Sequence, residues 1–326
     1  MAYTTIDNPE LYFQCKNYSG NNSTNAITFD GSEDMSPNMV WLKGRSGADN
    51  HRLYDTLRST SSLVPNDNRA EQADGNFSSF NSDGFTITGT DTGWNGSGET
   101  YVSWNWKETA TAGFDIVAYT GTGSSNAVSH SLSATPNMII IKNRDDSDSW
   151  YAWHQGLGAV ASNYINLDTS GAKSSVSDGI TAISSSNFTV NTRGDVNASS
   201  EKYIAYCFAD VKGYSKIGSY TGNGNADGTF VYTGFKPAWV MVKRTDAAAD
   251  WFIRDNKQDP ENVMNEYLSP NTTATSGNLD SFDFISNGFK IRNSNNAWNG
   301  SGNTYIYLAF AESPFVNSKG VPNNAR

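Results

Sequence analysis

The sequence predicts an all-β protein built from three tandem antiparallel β-sandwich domains of the jelly-roll or concanavalin-like kind. Short segments rich in β-branched and aromatic residues are separated by clusters of Gly, Asn, Asp, Ser and Pro, a pattern typical of strands and turns. No segment shows a sustained helical period of apolar residues. One series of landmarks recurs about every hundred residues, which indicates three copies of one domain.

The clearest repeat is a loop followed by a strand. Residues 94–102 read WNGSGETYV, and residues 298–306 read WNGSGNTYI. In a diverged middle copy, Tyr203 lies 102 residues from both Tyr101 and Tyr305. This spacing predicts domains over residues 1–108, 109–212 and 213–326, the last of which carries a C-terminal arm.

The elements of each repeat follow in a constant order. A Tyr-Ser-Gly or Tyr-Thr-Gly opening begins at Tyr18, Tyr119 and Tyr220. A proline-led apolar strand that ends on a lysine covers residues 37–43, 136–142 and 237–243, and a second strand covers residues 51–55, 150–154 and 251–255. A later strand begins at Phe85, Phe188 and Phe289, and the closing strand begins at Tyr101, Tyr203 and Tyr305. Because the proline-led and closing strands are the most apolar, we expect them to lie inside a sheet.

One short helix is expected in the third repeat. Asp259 is a suitable N-cap and Pro260 suits the first helical position, so the helix would bury Val263, Met264 and Tyr267.

The composition excludes several classes of partner. The formal net charge of −10 and the pI near 4.7 argue against nucleic acid and anionic membrane surfaces, which attract clustered Lys and Arg. No apolar run approaches the roughly 20 residues needed to span a bilayer, so no membrane insertion is expected. The first residues lack the parts of a signal peptide. We therefore expect synthesis in a host cytoplasm, with release inside a virus particle as one route out of the cell.

The sequence shows no pattern of catalytic or metal-binding residues. No strand carries the paired carboxylates of a sandwich-fold glycosidase, and no Gly-x-Ser-x-Gly turn is present. None of His51, His130 and His154 has a metal-ligand partner at suitable spacing. The acidic loop over residues 145–148 is better explained as a solvated turn than as a calcium site. We therefore predict a protein with no catalytic residues, no metal site and no cofactor.

The two cysteines align with apolar strand positions. Cys15 matches Ile116 and Ile217, and Cys207 matches Ala309. We expect both thiols to be buried and unpaired, as small hydrophobic residues of the core.

A basic pair recurs at the end of the proline-led strand, where the landmark lysines are Lys43, Lys142 and Lys243. These lysines could bind an acidic glycan. Recurrence in all three repeats favours a structural role instead, as a cross-strand ion pair with Asp55 or Asp255 worth about 0.2–1 kcal/mol.

The Trp-Asn-Gly-Ser-Gly loop has two interpretations. If Trp94 and Trp298 are exposed, they could stack on a sugar ring beside Asn95 and Asn299. If they are buried, they plug the open end of a sandwich. The plug is favoured, and the glycan-contacting role is kept as the alternative.

Several phrases of the chain are distinctive: residues 1–9 (MAYTTIDNP), 26–31 (AITFDG), 40–46 (VWLKGRS), 79–85 (SFNSDGF), 101–106 (YVSWNW) and 305–315 (YIYLAFAESPF). They resemble a repeat domain of unassigned function that is common in structural proteins of tailed bacteriophages, especially marine ones. The resemblance covers essentially the whole chain. It implies a virion component with lectin-like sandwich domains, and it supplies no catalytic or binding residues. The second repeat departs most, since it lacks the Trp-Asn-Gly-Ser-Gly loop.

The function expected from these observations is that of a non-enzymatic virion structural protein of a tailed phage. It would be a surface appendage that contacts the host, like a tail fibre, or a decoration protein on the head. The alternative is a stand-alone carbohydrate-binding, lectin-like protein. Expected partners are other virion proteins, further copies of the chain and a host-surface glycan. Residues 1–11 and 314–326 lie outside the repeats, and we expect another chain to hold at least one of these arms, with docking on their own domains as the alternative.

Overall fold

The computed structural model describes residues 3–322, and within them the chain is all-β with six antiparallel sheets. The strands of the first repeat are β1 (Phe13–Ser19), β2 (Asn25–Ile27), β3 (Met39–Gly44), β4 (Arg52–Asp55), β5 (Phe77–Phe80), β6 (Phe85–Ile87) and β7 (Thr100–Trp106). Those of the second are β8 (Phe114–Thr120), β9 (Asn126–Ser129), β10 (Met138–Asn143), β11 (Tyr151–His154), β12 (Asn163–Asn166), β13 (Ser174–Ser175), β14 (Ile180–Ile183), β15 (Asn187–Val190) and β16 (Lys202–Phe208). Those of the third are β17 (Ser215–Thr221), β18 (Phe230–Tyr232), β19 (Phe235–Arg244), β20 (Trp251–Asp255), β21 (Met264–Tyr267), β22 (Gly277–Ile285), β23 (Gly288–Ile291) and β24 (Thr304–Pro314).

Each repeat contributes two sheets, a β-sandwich-like arrangement. The sheet that contains the proline-led strand is here called the larger sheet and the other the smaller sheet, although both have four strands in the third repeat. The larger sheets have the orders β1-β7-β3-β4, β13-β12-β11-β10-β16-β8 and β17-β24-β19-β20. The smaller sheets have the orders β2-β6-β5, β14-β15-β9 and β18-β23-β22-β21. The proline-led strands (β3, β10 and β19) and the closing strands (β7, β16 and β24) are interior, as predicted. Every pairing between named strands stays within one repeat, while the domain boundaries near residues 108 and 212 stay a prediction.

The predicted helix after Asp259 is wrong. Residues 260–263 are irregular, and Met264–Tyr267 is the edge strand β21. The Asp259 carboxylate caps this strand instead, because its Oδ2 accepts hydrogen bonds from the backbone N–H groups of Asn265 and Glu266. The described residues contain one short α-helix, Gly194–Asn197 in the second repeat, and three single-turn 3-10 helices, Pro9–Leu11, Ala110–Ala112 and Gln155–Leu157.

The interior strands are buried on both faces, which explains their continuous apolar sequence. In β3, Val40 and Leu42 point into the first repeat's own core, between its two sheets. Met39 and Trp41 alternate with them and point the other way, into a second core that all three repeats share. The alternation of side chains along a strand thus supplies two cores at once.

The shared core, here called the central cluster, contains side chains from the larger sheets of all three repeats. Its members include Cys15, Trp41, Trp104, Ile140, Tyr206, Phe208, Trp239, Leu308 and Phe310. Trp104, Tyr206 and Leu308 fill equivalent positions, as the repeat register predicts, because they lie opposite Cys15, Ile116 and Ile217 on the first strand of each repeat. The three repeats are therefore packed together through one hydrophobic core.

Hydrogen bonds from one repeated position close this packing into a ring. Asp55, His154 and Asp255 occupy the same place at the end of the second predicted strand. The Tyr206 hydroxyl donates to Asp55 Oδ2 over 2.7 Å, and Trp104 Nε1 donates to Asp255 Oδ2 over 2.8 Å. His154 Nε2 donates to the Tyr307 carbonyl over 3.1 Å. The first repeat thus bonds the second, the second bonds the third, and the third bonds the first.

A second repeated position strengthens the same ring. Trp150 Nε1 donates to the Val64 carbonyl and Trp251 Nε1 donates to the Asn166 carbonyl, both over 3.0 Å. The equivalent His51 donates from Nε2 to the Ser269 carbonyl over 3.1 Å. Each bond again crosses from one repeat to another, so the inter-repeat contacts follow a threefold pattern within one chain.

Both terminal arms contact the chain's own repeats, and the expectation that another chain holds one of them stays a prediction. In the C-terminal arm, the Phe315 N–H donates to the Gly234 carbonyl over 3.2 Å. The Tyr3 hydroxyl donates to the Gly234 carbonyl over 3.1 Å. Ser318 and Asp7 link the two arms, since the Ser318 N–H donates to Asp7 Oδ1 over 2.6 Å. Residues 1–2 and 323–326 of the predicted arms lie outside the described residues.

Candidate functional site

The two tryptophans of the repeated loop are buried. Trp94 is 3 % exposed and Trp298 is 1 % exposed, each within the core of its own repeat. The guanidinium of Arg52 lies 4.8 Å from the Trp94 ring centre, and that of Arg254 lies 4.6 Å from the Trp298 ring centre. Rings covered in this way present no face to a sugar. Each instead fills the end of the sandwich core of its own repeat.

The asparagine of the same loop joins three loops at the end of each repeat. Asn95 is buried, and its Nδ2 donates to the carbonyls of Ser23 and Gly89 over 2.6 and 2.9 Å. Asn299 Nδ2 donates in the same way to two loop carbonyls, and so does Asn197 of the second repeat. This asparagine is therefore present in all three repeats, whereas the tryptophan that precedes it is present only in the first and third.

The landmark tyrosines complete this loop. The Tyr101 hydroxyl donates to the Thr92 carbonyl over 2.5 Å and accepts from the Gly96 N–H over 2.8 Å. Tyr203 and Tyr305 make the equivalent two bonds in their own repeats. The repeated phrase from tryptophan to tyrosine is thus a structural closure of the sheet end.

The expected ion pairs of the landmark lysines are wrong. Asp55 lies opposite Met39 at the far end of the strand pair from Lys43, and Asp255 lies opposite Trp239 in the same way. Lys43, Lys142 and Lys243 are instead fully buried.

Each landmark lysine is held by backbone carbonyls. Lys43 Nζ donates to the carbonyls of Gly44 and Gly47 over 2.6 and 3.2 Å. Lys142 bonds the carbonyls of Asn143 and Asp146 in the same way, whereas Lys243 bonds those of Arg244 and of Ser170 in the second repeat. Burial lowers the pKa of all three ammonium groups to about 8. Lys43 and Lys142 thus tie a strand end to its own loop, and Lys243 ties a strand end to the Ser170 carbonyl of the second repeat.

The histidines serve packing. Burial lowers the pKa of His154 to about 4 and lowers that of His51 well below its usual value. Both rings therefore stay neutral, with the proton on the Nε2 that donates across repeats. The His130 ring lies with its Nε2 3.2 Å from the Ser184 carbonyl, and its Nδ1 accepts from the Leu132 N–H over 3.4 Å.

The structure brings together one carboxyl pair that the sequence did not reveal. Glu108 follows β7 and Asp115 lies on β8, and the turn over Ala110–Ala112 folds the chain back so that the two carboxyl groups share a hydrogen bond. Asp115 is buried and accepts from the N–H and hydroxyl of Ser131 over 2.6 and 2.8 Å. Burial first, and then this hydrogen bond, raise the pKa of Glu108 to about 7. At the next junction the equivalent residues, Asp210 and Lys216, form an ion pair.

The carboxyl pair does not have the geometry of a glycosidase site. Such sites hold two carboxyl groups at least about 5 Å apart on either side of a bound sugar, whereas Glu108 and Asp115 are in direct contact. The pair is a proton-sharing contact at the junction of two repeats.

Carboxylates of the acidic loop over residues 145–148 accept hydrogen bonds from neighbouring groups of the protein. Asp148 accepts from Asn143 Nδ2 over 2.8 Å, and Asp145 accepts from the Lys202 N–H over 2.8 Å. Within residues 3–322, no group of three or more His, Cys, Asp or Glu side chains is placed to hold a metal ion. Nor does any helix of the described chain have the length and apolar character needed to cross a membrane.

The surface carries one feature that the sequence reading missed. Phe230 and Tyr232, on the edge strand β18, are 44 % and 55 % exposed, and they are the most exposed aromatic side chains in the described part of the chain. In the sequence, this feature is indicated by two aromatic residues that are separated by one residue within a short strand.

A comparison with family models finds one match, described as a domain of unknown function (DUF7483), over residues 8–314. No curated protein and no solved structure matches the chain. The match includes all three repeats and both junctions between them, so a single family model covers the three repeats together.

Proposed function

The chain belongs to the DUF7483 family, and we propose that it is a non-enzymatic structural protein of a tailed bacteriophage virion. It acts on the particle surface, as a host-contacting appendage like a tail fibre or as a decoration of the head. It is made in the host cytoplasm and joins other virion proteins, further copies of itself or both.

One observation carries this proposal: the residues that recur in each repeat hold the repeats together by hydrogen bonds. The loop asparagines, the landmark tyrosines, Lys43 and Lys142 bond their own repeats, whereas Lys243 and the Asp55, His154 and Asp255 positions bond neighbouring repeats. Residues repeated for packing favour a structural role over catalysis. The phage-like phrases of the sequence supply the virion context.

We also propose that each repeat is a jelly-roll or concanavalin-like sandwich, with boundaries near residues 108 and 212. The two sheets of each repeat, the apolar cluster between them and the interior position of the closing strand support this topology.

A label on the particle tests the virion assignment. Cys15 and Cys207 are both buried, so a single new thiol can be labelled selectively. The exposed Ala226 is a suitable site for Ala226→Cys, with the chain supplied during infection and purified particles treated with maleimide-gold. Gold on tails or on heads would identify the location, and the unlabelled wild-type chain is the control. Gold confined to the soluble lysate, with none on particles, would refute the assignment.

The second candidate is a stand-alone carbohydrate-binding protein. The exposed pair of Phe230 and Tyr232 favours it, because both rings have a free face. The same labelling experiment separates the two candidates, since a stand-alone lectin stays in the soluble fraction.

A further inference from the structure

The exposed aromatic strand β18 departs from the repeat. Its register aligns Val231 with Ile27 and Val128, because each lies opposite the phenylalanine of the later strand. Phe230 therefore occupies the position of Ala26 and Ala127, and Tyr232 that of Thr28 and Ser129. The first two repeats show small side chains to solvent at these places, and the third shows two rings.

The fold does not need these rings. Phe230 and Tyr232 point away from the core that Val231 enters, and the equivalent strands β2 and β9 pair normally without them. An exposed aromatic pair that packing does not require suggests contact with a ligand.

Both rings are held in place before any ligand binds. The Tyr232 hydroxyl lies 3.0 Å from the Tyr3 hydroxyl, which in turn bonds the Gly234 carbonyl. The Phe230 ring lies close against Gly288, where a methyl group would approach it to 3.0 Å. Fixed rings lose little conformational entropy on binding.

Polar groups flank the rings. Lys290 lies opposite Phe230 in the strand pair and forms a 2.5 Å ion pair with Asp227, whose side chain is 83 % exposed. Lys212 lies over the Tyr3 ring, with its Nζ 4.4 Å from the ring centre. A carboxylate, two ammonium groups and two phenol hydroxyls thus surround the apolar faces with hydrogen-bonding groups.

We infer that Phe230, Tyr232 and the Lys290–Asp227 pair form a glycan-binding surface for a bacterial polysaccharide. A sugar ring presents an apolar C–H face that stacks on an aromatic ring, and hydroxyl groups at its rim that bond carboxylates and ammonium groups. A protein partner fits less well, because stable protein interfaces bury about 800 Å² per partner and the described chain exposes only three other large hydrophobic residues, Leu57, Leu279 and Val321. The inference rests on the host-contacting form of the proposed function.

The full chain is tested on an array of purified bacterial capsular and O-antigen polysaccharides. The test variant is Phe230→Ala with Tyr232→Thr, which places the residues of the first repeat, Ala26 and Thr28, at these two positions. The matched control is Leu279→Ser, which removes an exposed aliphatic side chain from the same sheet. We expect the wild type and the control to bind at least one polysaccharide, and the test variant to bind it at least tenfold more weakly, about 1.4 kcal/mol.

Thermal unfolding of all three chains verifies the fold, and the single changes Phe230→Ala and Tyr232→Ser replace the double variant if it is unstable. No binding by the wild type, or equal binding by the variant, overturns the inference. Particle incorporation of the double variant is measured in parallel. Normal incorporation with weak glycan binding supports both proposals, and glycan binding by a wild-type chain that never enters particles refutes the virion role alone.

Discussion

Replacing Trp104 by alanine tests whether the central cluster joins the three repeats. The ring is fully buried among side chains of the first and third repeats, and its centre lies 5.6 Å from that of Trp41 and 6.3 Å from that of Trp239. Truncating a buried tryptophan to alanine costs about 3–5 kcal/mol. Trp104→Ala also removes a donor from the buried Asp255 carboxylate, which keeps its bonds from Lys257 and Gln258, so about 1 kcal/mol more is expected.

The matched control is Trp94→Ala. Trp94 is also buried, but it lies within the core of the first repeat, and its Nε1 has no hydrogen-bond partner among the described residues. Trp94→Ala should therefore cost about 3–5 kcal/mol without an effect on Asp255.

Denaturant unfolding gives the two free energies, and hydrogen exchange followed by mass spectrometry gives the stability of each repeat. Trp104→Ala should increase exchange in the third repeat, around Asp255, as well as in the first. Trp94→Ala should increase it mainly in the first repeat. A loss below about 1 kcal/mol for Trp104→Ala, or faster exchange in the first repeat alone, would refute a shared core. If Trp104→Ala does not fold, Trp104→Phe provides the graded change.

Two further predictions concern the repeat junction and the loop closure. The folded-state pKa of Glu108 is about 7, above its ordinary value of 4.5, so its contribution to stability is full below about pH 4.5 and is lost as the pH rises through 7. Glu108→Gln should therefore flatten the fall in melting temperature between pH 4.5 and 7.5, and parallel pH profiles for the two proteins would contradict the shared proton. Asn95→Ala should cost about 1–3 kcal/mol in denaturant unfolding, because it leaves buried loop carbonyls without a donor, whereas the exposed Ser97→Ala should cost almost nothing. Equal stabilities for Asn95→Ala and Ser97→Ala would show that the asparagine does not close the loop.

The candidate surface could be predicted from the sequence only in part. Once the strands are aligned, the aromatic residues at 230 and 232 stand out against the alanines, threonine and serine of the other repeats. Whether such residues face solvent or the core depends on which side of the strand the sheet packs against, and a shift of one residue reverses that. The tryptophans at 94 and 298 show the opposite case, since a loop position suggests exposure and packing buries them.

The sequence by itself determined the repeat, the positions of most strands and the interior place of the proline-led and closing strands. These features depend on local alternation, on turn residues and on apolar content, which neighbouring residues encode. Only the tertiary structure decided that Trp104 bonds Asp255, that Tyr206 bonds Asp55, and that the landmark lysines lie far from both aspartates. The first two contacts each join residues 151 positions apart, in different repeats. No local period encodes such a pairing, because it depends on how the outer faces of three sheets pack against one another.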